Sequence, residues 1–126
     1  MISEQKMVED FHVKYGAVTA NKPTMLDAAS MIRRMSLITS EAAEFSDACR
    51  AGDFTEMVDA LVDLLYVTYG AAVEMGVDLE PCFVEVHRSN MTKDGGGKDS
   101  GGKVLKGPNF SPPNLEAIID AQRCQQ

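Results

Sequence analysis

The sequence contains no CxxC pair, no apolar segment of signal-peptide type near its start and no long apolar run, and each of these absences argues against a class of protein. The 126 residues include three cysteines, and none forms a CxxC pair or lies at metal-ligand spacing. Free thiols in a reducing compartment are therefore expected rather than a disulfide framework. The polar N-terminal segment lacks the apolar core of a signal peptide, and no apolar run approaches the roughly 20 residues of a membrane span. The sequence thus predicts a cytoplasmic protein.

Basic residues are also scarce, at 12 against 19 acidic residues, which gives a net charge of −7 and a pI near 4.7. This balance argues against a partner that is a nucleic-acid polymer or an anionic membrane. A small phosphorylated substrate is not excluded, because bound metal ions can reverse the local sign of an acidic site. Hydrophobic residues at 44% and charged residues at 25% are ordinary for a globular protein. One domain spanning residues 1–126 is expected.

The β-branched alternation that marks strands is absent, and helical signals run through the chain instead. Polar residues at cap positions and glycines at stop positions predict four helices of a bundle. The predicted caps are Ser3, Asp27, Asp53 or Thr55, and Asp78. A short final helix is predicted from Ser111, with two prolines in its first turn. The predicted fold is all-α, a four-helix-type bundle with a Gly/Lys-rich C-terminal loop and this short last helix.

The second predicted helix carries a packing seam in steps of four and three residues. The seam consists of Met31, Met35, Ile38, Ala42 and Phe45. The third helix is apolar around most of its circumference, which predicts burial. Together the two helices are too apolar for a lone small bundle, so association into a homodimer or homotetramer is expected. Arg33 and Arg34 are expected at the surface.

Five carboxylates interrupt these two apolar helices at helical spacings. Glu41 and Glu44 form an i, i+3 pair, and Glu56, Asp59 and Asp63 form an i, i+3, i+7 set. Residues so spaced lie along one stripe of a helix. The third helix contains no basic residue that would compensate these charges. Burying several like charges costs several kcal/mol per ion unless something compensates.

A bound hard cation is the simplest compensation, because oxygen-rich clusters suit Mg2+ or Mn2+. An acidic stripe that faces water between subunits is the alternative. Helical carboxylates also hold di-iron centres, but those sites use Glu-x-x-His pairs. The only two histidines, His12 and His87, do not fall in such pairs.

Residues 92–113 change the character of the chain, with six glycines, three prolines and four lysines and no apolar periodicity. Glycines let a backbone fold closely over phosphates, and lysines act as point charges on them. The alternative is a solvated linker, which most stretches of this composition are. The spacing is not that of a Walker A loop, and the segment follows a helix rather than a strand.

Four segments, taken together, resemble the MazG-like branch of the all-α nucleoside triphosphate pyrophosphatase superfamily. They are SEAAE, DALVDLLYVTYGAAVEMGVD, EVHRSNMTK and GGKVLKGPNFSPPNL. The superfamily also contains phosphoribosyl-ATP pyrophosphohydrolases and dimeric dUTPases. In its compactness the chain looks most similar to short phage and bacterial members, some acting on guanine nucleotides and some on dUTP. If the gene is phage-encoded, the protein is expected in the host cytoplasm.

The resemblance implies a site built on the motif E-x-x-E, a gap, then E-x-x-D. Glu41 and Glu44 match the first half, as metal ligands and as the catalytic carboxylates. The second half has two registers: Glu56 with Asp59, or Asp63 with Asp59 four residues earlier. We favour the second, because a helix step of four keeps a side chain on nearly the same face. Two or more Mg2+ or Mn2+ ions per site are implied.

The resemblance also implies the substrate and the residues that contact it. Those positions are Asn90, Lys93, Lys98, Lys103 and Lys106. The implied reaction converts a (deoxy)nucleoside triphosphate to its monophosphate and pyrophosphate, with guanine nucleotides narrowly favoured. A dUTP diphosphatase and a phosphoribosyl-ATP pyrophosphohydrolase are the alternatives among enzymes. A non-catalytic helical assembly module is the alternative from another class.

Overall fold

A computed structural model describes residues 1–125, and these contain five α-helices and no strand beyond one isolated bridge. The all-α prediction is confirmed. The helices are α1 (Ser3–Tyr15), α2 (Ala28–Ala51), α3 (Phe54–Met75), α4 (Leu79–Asn90) and α5 (Leu115–Cys124). No single helix in this part of the chain is long and apolar enough to cross a membrane, although α3 and α4 taken together pass on length and composition.

Short polar side chains begin three of the helices, as predicted. The Asp27 carboxylate accepts a hydrogen bond from the Ser30 backbone N–H at 2.7 Å, and Asp53, rather than Thr55, caps α3. Asp78 caps α4. The prediction for Ser3 is wrong: Ile2 occupies the cap position without a side-chain bond, and the Ser3 hydroxyl donates to the Glu4 carboxylate instead.

The last helix begins later than predicted. Asn114 caps α5 by accepting from the Ala117 N–H at 3.2 Å, so both prolines precede the helix. A proline disfavours helical geometry in the residue before it, which explains the delay. Ser111 is held outside the helix, since its N–H donates to the Thr92 hydroxyl and its carbonyl accepts from the Ser89 hydroxyl.

The chain forms two compact units, the first being Met1–Val77 and the second beginning at Asp78. The expectation of one domain stays a prediction. In the first unit α2 and α3 form a hairpin with a two-residue link, and α1 packs on α3. Its small buried apolar side chains are Val8, Ala48, Ala60, Ala72 and Val73.

The predicted burial of α3 is wrong for a single chain, and part of the predicted packing seam of α2 is open as well. On α2, Met31 and Met35 are exposed. Burial along α3 is confined largely to its C-terminal half, and five large apolar side chains before it are open. These are Phe54, Val58, Leu61, Val62 and Leu65. The apolar composition correctly indicates that these faces are unfavourable in water. Within residues 1–125, however, they remain exposed.

The expected surface position of Arg34 is also wrong. Its guanidinium lies against the buried Glu74 carboxylate, with Nη2 to Oε1 at 3.2 Å and Nε to Oε2 at 3.1 Å. Gly70 makes room for this pair, because a Cβ there would collide with Arg34 Nη1 and lie 3.3 Å from His12 Nε2. The His12 ring is held through Nδ1, 2.8 Å from the Val18 carbonyl. A buried polar layer thus joins α1, α2 and α3.

In the second unit, side-chain hydrogen bonds hold α5 and the preceding segment against α4. The Glu85 carboxylate accepts from Arg88 Nε at 2.7 Å and from the Asn114 N–H at 2.8 Å. Arg88 Nη1 also donates to the Ser111 hydroxyl. The Arg88 hydrogen bonds and the Asn114 N–H lower the pKa of Glu85 to about 2.

Candidate active site

The helical hairpin brings three of the predicted carboxylates together. Glu41, Glu44 and Asp63 each offer an oxygen, and these oxygens all lie within 4.8 Å of one another. Glu41 and Asp63 are half-buried, and Glu44 is exposed. Because Glu41 and Glu44 are three residues apart on α2, both point from one face of that helix toward α3.

The register of α2 against α3 is fixed on both sides of this cluster. At one side is the Arg34–Glu74 pair. At the other lie Ala48 and Ala60, whose small side chains are buried. An early residue of α2 pairs with a late residue of α3, so the two helices run antiparallel. Residues 41 and 44 then face residue 63 between the two fixed points.

The surroundings of the cluster disfavour the ionised form of two of its carboxyl groups and raise their pKa values. The pKa of Glu41 is raised above its ordinary 4.5, first by hydrogen bonding with the Glu44 carboxyl, then by burial and the charges of Glu44, Asp63 and Asp59. The pKa of Asp63 is raised above 3.8 by burial and by the charges of Asp59 and Glu44. The helices therefore hold carboxylates closer than their charges favour.

The two remaining predicted ligands lie at the edge of the cluster. Asp59 is close enough to affect both raised pKa values, but it is exposed and does not join the group of three. Glu56 lines an open pocket of about 390 Å3 together with Glu44 and Asp59. The structure thus brings Asp63 of the favoured register together with Glu41 and Glu44, and it leaves Asp59 and Glu56 outside this group of three.

The cluster fits a divalent cation in its chemistry. Carboxylate oxygens are the ligands that Mg2+ and Mn2+ prefer. Glu41 Oε2 is buried and has no hydrogen-bond partner among the described residues. A buried, unpaired carboxylate oxygen is costly unless a donor or a cation completes it. Glu41, Glu44 and Asp63, with Asp59 beside them, are the residues that would hold such an ion.

The predicted phosphate-binding residues belong to the second unit. Asn90 ends α4, and its carbonyl accepts from the Lys93 N–H at 3.2 Å. Three of the four lysines are exposed, and Lys93 is half-buried. The Lys106 ammonium lies over the Phe110 ring, 4.9 Å from its centroid. The roles of these five residues stay predictions.

An aromatic cluster beside the carboxylates was not predicted as part of the site. Phe11 contacts Tyr66 edge to face with ring centroids 5.6 Å apart, and it contacts Tyr15 at 4.8 Å. Both Phe11 and Tyr66 are partly open, at 44% and 38% exposure. Tyr66 lies three residues after Asp63, so the cluster continues the same face of α3. The 63–66 spacing was the available signal, but from sequence Tyr66 is more often a core residue than a base-stacking residue.

Comparison with known proteins agrees with this arrangement. The family model described as phosphoribosyl-ATP pyrophosphohydrolase matches residues 8–90. The match includes all five carboxylates of the hairpin and ends at Asn90, before the lysine-rich loop. No curated protein matches the chain. The chain belongs to the phosphoribosyl-ATP pyrophosphohydrolase family, within the MazG-like all-α superfamily, and is a nucleotide pyrophosphohydrolase.

Proposed function

We propose that the protein is a metal-dependent (deoxy)nucleoside triphosphate diphosphatase, which converts (d)NTP and water to (d)NMP and pyrophosphate. The observation that carries the proposal is the cluster of Glu41, Glu44 and Asp63, with oxygens within 4.8 Å and one buried oxygen unpaired. Like charges are held this closely where a cation or a charged ligand completes the site. Two or more Mg2+ or Mn2+ ions are the proposed cofactors.

The carboxylates have separate tasks in this proposal. When bound, divalent ions supply positive charge against both the carboxylates and the triphosphate. Asp63 and Asp59 act as ligands from α3, and Glu41 and Glu44 as ligands from α2. Glu41 or Glu44 also orients the attacking water and accepts its proton. The water oxygen forms a bond to the α- or the β-phosphorus, the bond between that phosphorus and the oxygen bridging the two breaks, and the electron pair leaves with the bridging oxygen on the other product.

The lysines of the second unit are the proposed phosphate ligands. Lys93, Lys98, Lys103 and Lys106 bring positive charge to a protein with a net charge of −7. Phosphoryl transfer needs little covalent help from the protein, so positioning and charge neutralisation supply most of the catalysis. Asn90 is the proposed polar contact to the nucleotide.

The partly open rings of Phe11, Tyr15 and Tyr66 support a base-binding role, since nucleobases stack on aromatic side chains. Stacking accepts any base, so the guanine preference that we propose rests on the resemblance to short phage members. Phosphoribosyl-ATP is the second candidate substrate, and the description of the matching family favours it. Its hydrolysis breaks the same bond and uses the same groups. A dUTP preference remains the third alternative.

A second copy of the chain is the proposed partner. The open apolar faces of α2 and α3 belong to the helices that carry the carboxylates. Exposed apolar surface of this extent is typical of subunit interfaces. We propose a homodimer or a homotetramer.

Each dNTP and NTP, together with phosphoribosyl-ATP, should be incubated with the protein and Mg2+, with products separated by chromatography. Pyrophosphate is the expected first phosphate product, and EDTA should abolish its release. Nucleoside diphosphate and orthophosphate would refute the proposed reaction. The assembly-module alternative instead predicts no turnover and no thermal stabilisation by Mn2+ with an unreactive triphosphate analogue.

A further inference from the structure

The glycine- and lysine-rich segment is folded back on itself around a single carboxylate. The Asp99 Oδ1 atom accepts from the backbone N–H groups of Gly101 and Lys103, both at 2.9 Å. The Asp99 backbone adds two bonds, donating to the Lys103 carbonyl at 2.9 Å and accepting from the Gly102 N–H at 3.1 Å. One residue thus makes four hydrogen bonds across a turn of five residues.

This turn closes a small antiparallel arm that carries two of the lysines. Lys98 pairs with Val104 in the isolated bridge, and the Leu105 N–H donates to the Gly97 carbonyl at 3.0 Å. Lys98 immediately precedes the turn, and Lys103 is its last residue. Gly102 has a φ of +86°, a conformation that an L side chain rarely adopts. The segment therefore has a defined backbone and is not an extended linker.

The negative charge of Asp99 opposes the binding of phosphate by the lysines of the loop. A carboxylate next to Lys98 and close to Lys103 reduces the local positive potential, which weakens attraction for phosphate. Its hydrogen bonds act in the opposite direction. They restrict the backbone between the two lysines, so less conformational entropy is lost when a phosphate chain binds.

We propose that Asp99 is a positioning residue, which holds Lys98 and Lys103 in a preorganised arrangement for the phosphate chain of the substrate. The inference rests on the proposed function, because it takes the loop lysines as phosphate ligands. Two properties of Asp99 then have opposite effects: the Oδ1 acceptor favours phosphate binding, and the negative charge opposes it.

The two properties are separable by substitution. Asp99→Asn keeps an Oδ1 acceptor for the two N–H groups and removes the charge. Asp99→Ala removes both. A role limited to charge predicts that both variants bind phosphate more tightly than the wild type. Preorganisation predicts that Asp99→Ala binds more weakly and that Asp99→Asn binds as tightly or more tightly. Asp94→Ala removes one negative charge from the same segment and is the matched control.

The experiment titrates the full chain with inorganic tripolyphosphate and Mg2+ by calorimetry. We expect the dissociation constant to rise about fivefold or more for Asp99→Ala, since two hydrogen bonds are lost. It should stay within twofold, or fall, for Asp99→Asn and Asp94→Ala. Trypsin gives a readout of order that involves no ligand: cleavage after Lys103, whose neighbour Val104 is unchanged, should quicken in Asp99→Ala and stay at the wild-type rate in Asp99→Asn.

The results of this titration can be told apart from those of the nucleotide hydrolysis assay. If Asp99→Ala and Asp99→Asn bind tripolyphosphate alike, or if the wild type does not bind it, the inference is overturned even where nucleotides are hydrolysed. If the Asp99 pattern appears but no nucleotide is turned over, the proposed function fails and the positioning role stands.

Discussion

Replacing Arg34 by methionine tests how the carboxylates are brought into register. The Arg34 side chain is 11% exposed and Glu74 is 1% exposed, so the substitution leaves a buried carboxylate without its main partner. Removing one member of a buried ion pair costs about 3–5 kcal/mol. Arg33 still contacts Glu74 Oε1 at 3.1 Å, which places the expected loss near the lower end, at about 3 kcal/mol.

The neighbouring Arg33 provides a matched control. It contacts the same carboxylate, but its side chain is 45% exposed, so solvent already screens the interaction. Arg33→Met should cost about 0–1 kcal/mol, as exposed pairs do. Urea unfolding at pH 7 measures both values, with the m-value checked for each variant. An equal or larger loss for Arg33→Met would refute the reasoning. Under conditions where both variants are folded, Arg34→Met should also lower kcat more, because Arg34 fixes the register of the site.

Glu44→Gln and Asp63→Asn should each reduce turnover by at least about a hundredfold, as loss of a metal ligand does, while the metal-free protein stays as stable or gains stability. Glu56→Gln should be milder than Asp63→Asn, and the reverse order of kcat/KM would favour the literal motif. Because the folded pKa of Glu85 is about 2 against an ordinary 4.5, its contribution to stability is present above pH 4.5 and lost as the pH falls through 2. Glu85→Gln should therefore lower the Tm at pH 7, and calorimetry should show this difference shrinking as the pH falls from 4.5 toward 2. Sedimentation at micromolar concentration should show at least a dimer; a monomer would contradict the proposed interface.

Local signals predicted the parts of the fold that depend on neighbouring residues. Asp27, Asp53 and Asp78 cap their helices because a short carboxylate reaches N–H groups two or three residues ahead. The meeting of Glu41 and Glu44 with Asp63 was predictable for a similar reason, since a short link forces two long helices into an antiparallel hairpin. In both cases the interacting residues lie within one helical turn or one hairpin.

Features that depend on distant residues were not predictable from local patterns. Arg34 and Glu74 are 40 residues apart, and neither flanking sequence shows that the other is its partner. The apolar face of α3 indicates that something covers it, but composition is the same whether the cover is the chain itself or another copy. Tyr66 was ambiguous for that reason, since an aromatic residue on a helix reads as core until its exposure is known.

The position of the carboxylates in the chain determines how early their cluster can form during synthesis. All five belong to α2 and α3, so their contacts span short stretches of sequence and are expected to form quickly. All residues of the hairpin precede the second unit in the chain, so they leave the ribosome first. Repulsion between its carboxylates is expected to slow closure of the nascent hairpin, and a bound divalent cation would relieve it. Cation binding is thereby expected to accompany an early step of folding, and phosphate recognition becomes possible only afterwards.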